Sequence, residues 1–193
     1  MITVTENKRD SFNLEILVNG ELYRLVSCSM FQSRLSLPKD FSSLEEVQEW
    51  FLQEEYRIGK NYLLYLLGRQ DYLSSVLRRK FKEKKFSQPN YERLIEEFTE
   101  LGYIQDENLI VRLIRAEMGK DKGPIATRLK LLSKGCDATI IEKHLQKCMT
   151  NDYQKEKIEK LALKLQSKGL EKHIVMQKLY RLGFEMELIK ASI

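Results

Sequence analysis

Three short stretches constrain this chain more than anything else in it: FKEKKF at 81–86, LLSKGC at 131–136 and LYRLGF at 179–184. Each opens on an apolar residue, carries at least one cation and closes on an apolar residue five positions later. Their closing residues stand 50 and then 48 positions apart. The second and third place Gly135 and Gly183 just before the close. Glycine suits a helix end because it enters the left-handed region without a Cβ penalty. The first stretch has Lys85 there, which weakens the cap expected for that copy. A period of this length points to repeated units that bury their apolar faces by stacking.

One order of elements is expected around each stretch. A first helix covers 56–69, 106–119 and 153–167. A basic helix follows at 71–85, 124–134 and 171–182. A third closes the unit at 89–101, 138–149 and 185–191. Pro89 and Pro124 suit a first helical turn, where the missing N–H costs nothing. Only three Pro and nine Gly interrupt 193 residues dominated by Leu, Lys, Glu and Arg, so propensity favours helix. The fold class predicted is mainly α: three tandem three-helix repeats, 56–105, 106–150 and 151–193, forming an elongated, curved array.

The first 55 residues read differently. Phe12, Leu14, Ile16 and Val18 alternate at period two, Asn19-Gly20 follows, and apolar positions resume at Leu22 and Val26. Asn-Gly adopts a type I′ turn readily, so a small β-hairpin is predicted, with a possible earlier strand at 2–5. A lone hairpin is marginal in water and must pack on something. Ser42 or Ser43 then caps a helix with Glu45 and Glu46 in its first turn and an apolar stripe of Leu44, Val47, Phe51 and Leu52. Trp50 lies beside the stripe, placed to clamp the hairpin.

Charge separates these regions. Residues 1–55 hold 5 Lys/Arg against 10 Asp/Glu, and residues 56–193 hold 28 against 18. Positive charge confined to one part of a chain suits an anionic partner. In LRRKFKEKKF, at 77–86, six cations meet one carboxylate. At 100° per residue, Leu73, Leu77 and Phe81 form a buried stripe, while Arg78, Lys82 and Lys85 cluster on another side with Arg79 beside them. The second unit repeats the theme with Arg112, Arg115, Lys120, Lys122, Arg128, Lys130 and Lys134, and the third with Lys155, Lys157, Lys160, Lys164 and Lys168. The first two sets are the candidate partner-binding residues.

The sequence offers no phosphate loop, no G-x-G-x-x-G, no H-E-x-x-H and no paired-cysteine pattern, so no cofactor, no metal and no catalytic residue is expected. Cys28, Cys136 and Cys148 are an odd set without C-x-x-C spacing. His144 and His173 read as helix-surface residues, and Asp106-Glu107 as acids charging the start of a helix. No apolar run is long enough to span a membrane, and the first residues lack the apolar core of a secretory signal, so a cytoplasmic protein is expected.

The stretches at 98–117 (FTELGYIQDENLIVRLIRAE), 122–136 (KGPIATRLKLLSKGC) and 176–184 (MQKLYRLGF) closely resemble the RecX family of recombination regulators, in order and spacing as well as in residues. The resemblance covers roughly 56–193, and the hairpin with its acidic helix is similar to a longer N-terminal region of some members. Lys122 stands where the family usually has Arg, Lys85 where the first copy has Gly, Gln105 where Asn or Asp is usual, and Val76 where an acid often precedes the leucine. The resemblance implies binding to RecA recombinase, above all its filament on single-stranded DNA. It further implies inhibition of ATP hydrolysis and strand exchange by an elongated monomer lying in the filament groove. The alternative is a helical-repeat protein that binds single- or double-stranded DNA without sequence preference, since the basic helices lack a base-reading side-chain set. A general helical scaffold ranks lower, because the tetratricopeptide period is only about 34 residues.

Overall fold

Asn19 and Gly20 take φ of 50° and 83° and close the expected hairpin between the strands Asn13–Val18 and Glu21–Ser27. The sheet is larger than a hairpin. The computed structural model describes residues 1–193, and its strands are β1 (Ile2–Lys8), β2 (Asn13–Val18), β3 (Glu21–Ser27) and β4 (Lys39–Phe41).

 The sheet is antiparallel throughout, with order β3-β2-β1-β4. The strand suggested at 2–5 is therefore real and extends to Lys8. The fourth strand, three residues long, is too short to show alternation in a sequence. Between β3 and β4 a one-turn helix, α1 (Cys28–Phe31), drives Phe31 into the core.

Two details of the strand reading are corrected. The pairing slips between Ile16 and Leu17, from Ile16–Arg24 to Leu17–Leu22. The extra residue on β3 turns Leu22 to the outer face, where it is 57% exposed instead of sharing the core face with Val26. Phe12 precedes β2 and is 79% exposed, so the buried alternation begins at Leu14.

The chain divides into two units, Met1–Ile104 and Gln105–Ile193. In the first, the acidic helix and the helix expected over 56–69 are one 24-residue helix, α2 (Leu44–Leu67). No proline or cap interrupts it, and Gly59 alone does not break a helix that packs well. Gly59 instead lets α2 meet α4 closely: a Cβ there would stand 2.9 Å from Leu94 Cδ1. Ser43 is the N-cap. Its hydroxyl accepts from Glu46 N at 3.2 Å, and the Glu46 carboxylate accepts from Ser42 N at 2.9 Å. Val47 and Phe51 are buried as expected, but Leu44 and Leu52 are exposed. The stripe continues through Ile58, Leu63 and Leu66. Trp50 packs on Phe41 at 5.2 Å with Lys39 over both rings, so it clamps β4 rather than the hairpin.

α3 (Ser74–Glu83) and α4 (Gln88–Glu100) complete the first unit. α3 starts three residues later than expected, because buried Leu73 takes the extended N-cap position. Phe31, Phe81 and Phe86 are buried together, with Phe86 5.1 Å from each of the other two rings. Each such ring contributes roughly 2–3 kcal/mol by leaving water.

The second unit holds α5 (Asp106–Met118), α6 (Pro124–Ser133), α7 (Ala138–Cys148), α8 (Asn151–Gln166), α9 (Lys172–Arg181) and α10 (Met186–Ser192). α8 begins two residues early because the Thr150 hydroxyl caps it, accepting from Tyr153 N at 3.3 Å. Ile158, Val175, Leu179, Phe184 and Ile189 form a core between α8, α9 and α10.

The three opening stretches are one helix ending made three times. Phe86 N donates to Phe81 O at 3.1 Å, Cys136 N to Leu131 O at 3.1 Å and Phe184 N to Leu179 O at 3.4 Å. Lys85, Gly135 and Gly183 each donate to the carbonyl three residues back at 2.9 Å, with φ of 60°, 83° and 93°. This is the Schellman ending, in which the apolar residues five apart meet across the turn. In the second unit the start of α6 rests on such a turn. Gly123 N donates to Leu182 O at 2.8 Å and Ile125 N to Gly183 O at 3.0 Å. A Cβ on Gly123 would lie 2.4 Å from Gly183 O, which is why Lys-Gly-Pro opens this helix.

Candidate partner-binding surface

The cations of α3 sit where a helix favours them. Lys80 and Lys82 occupy its last turn, next to the negative end of the macrodipole. Arg78 does not reach freely into solvent. Its Nε donates to both Glu92 carboxylate oxygens on α4, at 3.0 and 2.8 Å, and Nη1 donates to Ser74 Oγ at 3.1 Å. Lys85 donates to Asn13 Oδ1, tying the end of α3 to β2. Arg79 is exposed and lies 3.9 Å from Glu83. Lys82 is exposed and makes no ion pair.

The second unit shows the same division. Lys120 and Lys130 converge on one oxygen of Glu117, at 3.0 and 2.7 Å. That carboxylate is 5% exposed. The Lys130 and Lys120 bonds hold Glu117 below the usual carboxylate range against the opposing effect of burial. Arg128 is forked onto Glu142 of α7, Nη2 to Oε2 at 2.7 Å. Arg112 is exposed on α5. Arg115 and Lys134 are exposed and Lys122 half-buried, with no ion pair at any of the three.

Of the eleven candidates, Arg78, Lys85, Lys120, Arg128 and Lys130 thus carry side chains already committed within the chain, while Lys82, Arg115, Lys122 and Lys134 carry uncommitted charge. The committed pairs repeat as well. Arg78 and Arg128 are 50 residues apart, and so are Glu92 and Glu142. The corresponding positions 48 residues on are Met176 and Lys190, so the third copy has no such bridge. Sequence reading could see these cations but not their partners, because each carboxylate lies on the next helix.

Two carboxylates were also out of reach of that reading. Glu55 on α2 is 0% exposed, and it accepts from Ser87 N at 2.8 Å, from Ser87 Oγ and from Asn90 Nδ2 at 2.6 Å, with Arg24 at 3.7 Å. It therefore caps α4 from another helix, at the end where an anion is favoured. Glu107, in the first turn of α5 as expected, also accepts from Lys143 Nζ and pairs with His144 Nε2, both at 2.7 Å on α7. These bonds hold it down at about 2. His173 is an exposed residue 3.2 Å from Glu171. The three cysteines are free thiols.

A predominantly helical chain with a small N-terminal antiparallel sheet, carrying repeated cation-bearing helix endings, is the class that fold and surface define. No family model matches it. It is 24% identical to regulatory protein RecX of Caldanaerobacter subterraneus subsp. tengcongensis over 100% of this chain and 98% of that one. It is 35% identical to regulatory protein RecX of Actinobacillus pleuropneumoniae over 45% of this chain, and the match covers 57% of that relative's length. A crystal structure of regulatory protein RecX superposes with a TM-score of 0.65 at 19% identity, covering 100% of this chain and 98% of that one. RecX from Lactobacillus salivarius superposes with a TM-score of 0.66 at 25% identity, over 72% and 95% of the two chains. Along its whole length, in sequence and in fold, the chain is similar to regulatory protein RecX.

Proposed function

We propose that this chain is a regulator of RecA recombinase. It binds RecA and its filament on single-stranded DNA as a monomer in the cytoplasm, and it restrains ATP hydrolysis and strand exchange without catalysing a reaction of its own. The observation that carries this reading is likeness to regulatory protein RecX along the whole chain, in sequence and in fold. No helix is long and apolar enough to cross a membrane.

Part of the same proposal is a division into three three-helix repeats, with the latter half of α2 opening the first. The recurring helix endings and the Arg–Glu pairs at matching positions support it. Stacked along a curved array, such repeats would set their cations along a groove of acidic protein and strand phosphates. Arg79, Lys82, Arg115, Lys122 and Lys134 dock the partner. Arg78, Lys85, Lys120, Arg128 and Lys130, with Arg112, shape the surface that presents them.

The test is a titration of the chain against a bare oligonucleotide and the same oligonucleotide coated with RecA, in one buffer. Tighter binding to the coated strand is expected. Equal affinity would overturn the proposal in favour of plain phosphate binding, whose affinity falls steeply with salt.

A further inference from the structure

A second surface lies in the third copy, outside the candidate residues. Leu161 and Leu165 of α8 and Leu182, just after α9, line a groove of about 360 Å³. Its remaining lining residues are Lys164, Lys168, Lys178 and Arg181. All four cations are exposed, and none makes an ion pair. No carboxylate lines the groove. This differs from α3 and α6, where arginines are answered by glutamates on the following helix.

We propose that this groove is a docking site for an acidic, amphipathic helical segment of a partner protein. Apolar side chains at helical spacing seat on the three leucines, and flanking carboxylates meet the four cations. The leucine floor asks for apolar side chains, and the rim asks for anions. A helix with one apolar stripe and acidic flanks supplies both. A nucleic-acid strand fits less well, because bases bind by stacking on aromatic faces and the groove is lined by none. Like charges held this close cost stability in the free chain, and an acidic ligand relieves that cost on binding. The assignment is independent of the proposed action on RecA.

The probe is a labelled helical peptide with leucines at i, i+3, i+4 and i+7 and glutamates elsewhere. It is compared with a twin in which every glutamate is glutamine, and with a labelled oligothymidine, by anisotropy against the full chain at low salt. The glutamate peptide should bind at least about tenfold more tightly than its twin, and Lys178→Glu with Arg181→Glu should weaken it at least about tenfold. Lys155→Glu with Lys160→Glu, outside the groove, should change it far less, and circular dichroism checks that both double variants fold. Methyl NMR of the leucines should report the peptide at Leu161, Leu165 and Leu182. Equal binding of the two peptides, absence of binding, or shifts at leucines elsewhere would overturn the proposal. So would loss of oligothymidine binding alone in Lys178→Glu with Arg181→Glu. Because the assay contains no recombinase, its failure is separate from any failure of the proposed function.

Discussion

Glu55 is the most consequential single side chain in the first unit. A buried carboxylate is costly to desolvate, and it persists here because two donors of Ser87, one of Asn90 and the Arg24 guanidinium all face it. Removing it strands these donors in the core. Glu55→Leu should therefore destabilise the chain by about 3 kcal/mol or more, seen as a lower midpoint in urea unfolding. A loss below about 0.5 kcal/mol would show that the network is not structural. Glycine makes a second case at this scale. Gly183 has φ of +93° and a Cβ there would meet Ala126 N at 2.4 Å, whereas Gly169 has φ of +77° and open space around it. Gly169→Ala should cost about 1 kcal/mol, the ordinary left-handed penalty. Gly183→Ala should cost clearly more, because α6 must shift. Equal costs in thermal melts would remove the close packing of α6 on this turn from the account.

At the scale of elements, α5 and α7 are joined at their exposed edge by Glu107 with Lys143 and His144. Folding depresses the Glu107 carboxyl from 4.5 to about 2, so the unfolded chain binds that proton first as pH falls. The stability it contributes is present above about 4.5 and is lost as pH falls toward about 2. Glu107→Gln should flatten the acid limb of a pH–stability curve by lowering stability at neutral pH, with the most acidic end little changed. An unaltered acid limb would count against the link. Arg78–Glu92 and Arg128–Glu142 are half-exposed forks between successive helices. Double-mutant cycles should return about 0.5–1 kcal/mol for each, with near-zero coupling the contrary result.

Elements differ in how far the sequence revealed them. α5, α6 and α7 announce themselves through caps, prolines and apolar spacing, and they lie where those signals put them. The helix endings at Phe86, Cys136 and Phe184 were visible as a pattern because a Schellman turn fixes both the apolar pair and the residue before its close. β4 and α1 were not visible, being too short for a periodicity, and neither was the continuity of α2, since an unbroken helix leaves no mark in the sequence. The cations of the candidate surface were legible as residues. Which of them are committed was not, except for Lys120 three residues after Glu117, because Glu92 and Glu142 reach Arg78 and Arg128, and Glu117 reaches Lys130, through packing of one helix on another.

For the molecule as a whole, the division between committed and uncommitted cations makes the proposed function specific. Arg79→Glu with Lys82→Glu and Lys134→Glu alters only exposed positions and should leave helical circular dichroism intact. Arg78→Met with Glu92→Leu removes a structural fork and should alter stability more than partner binding. The central claim is action on RecA, and its most direct measurement is the rate of single-strand-dependent ATP turnover by RecA with the chain added at substoichiometric amounts. The account predicts that turnover slows, that added salt weakens the effect, and that the triple reversal abolishes it. Turnover that stays unchanged with the folded wild-type chain, or that slows equally with the triple reversal, would contradict it.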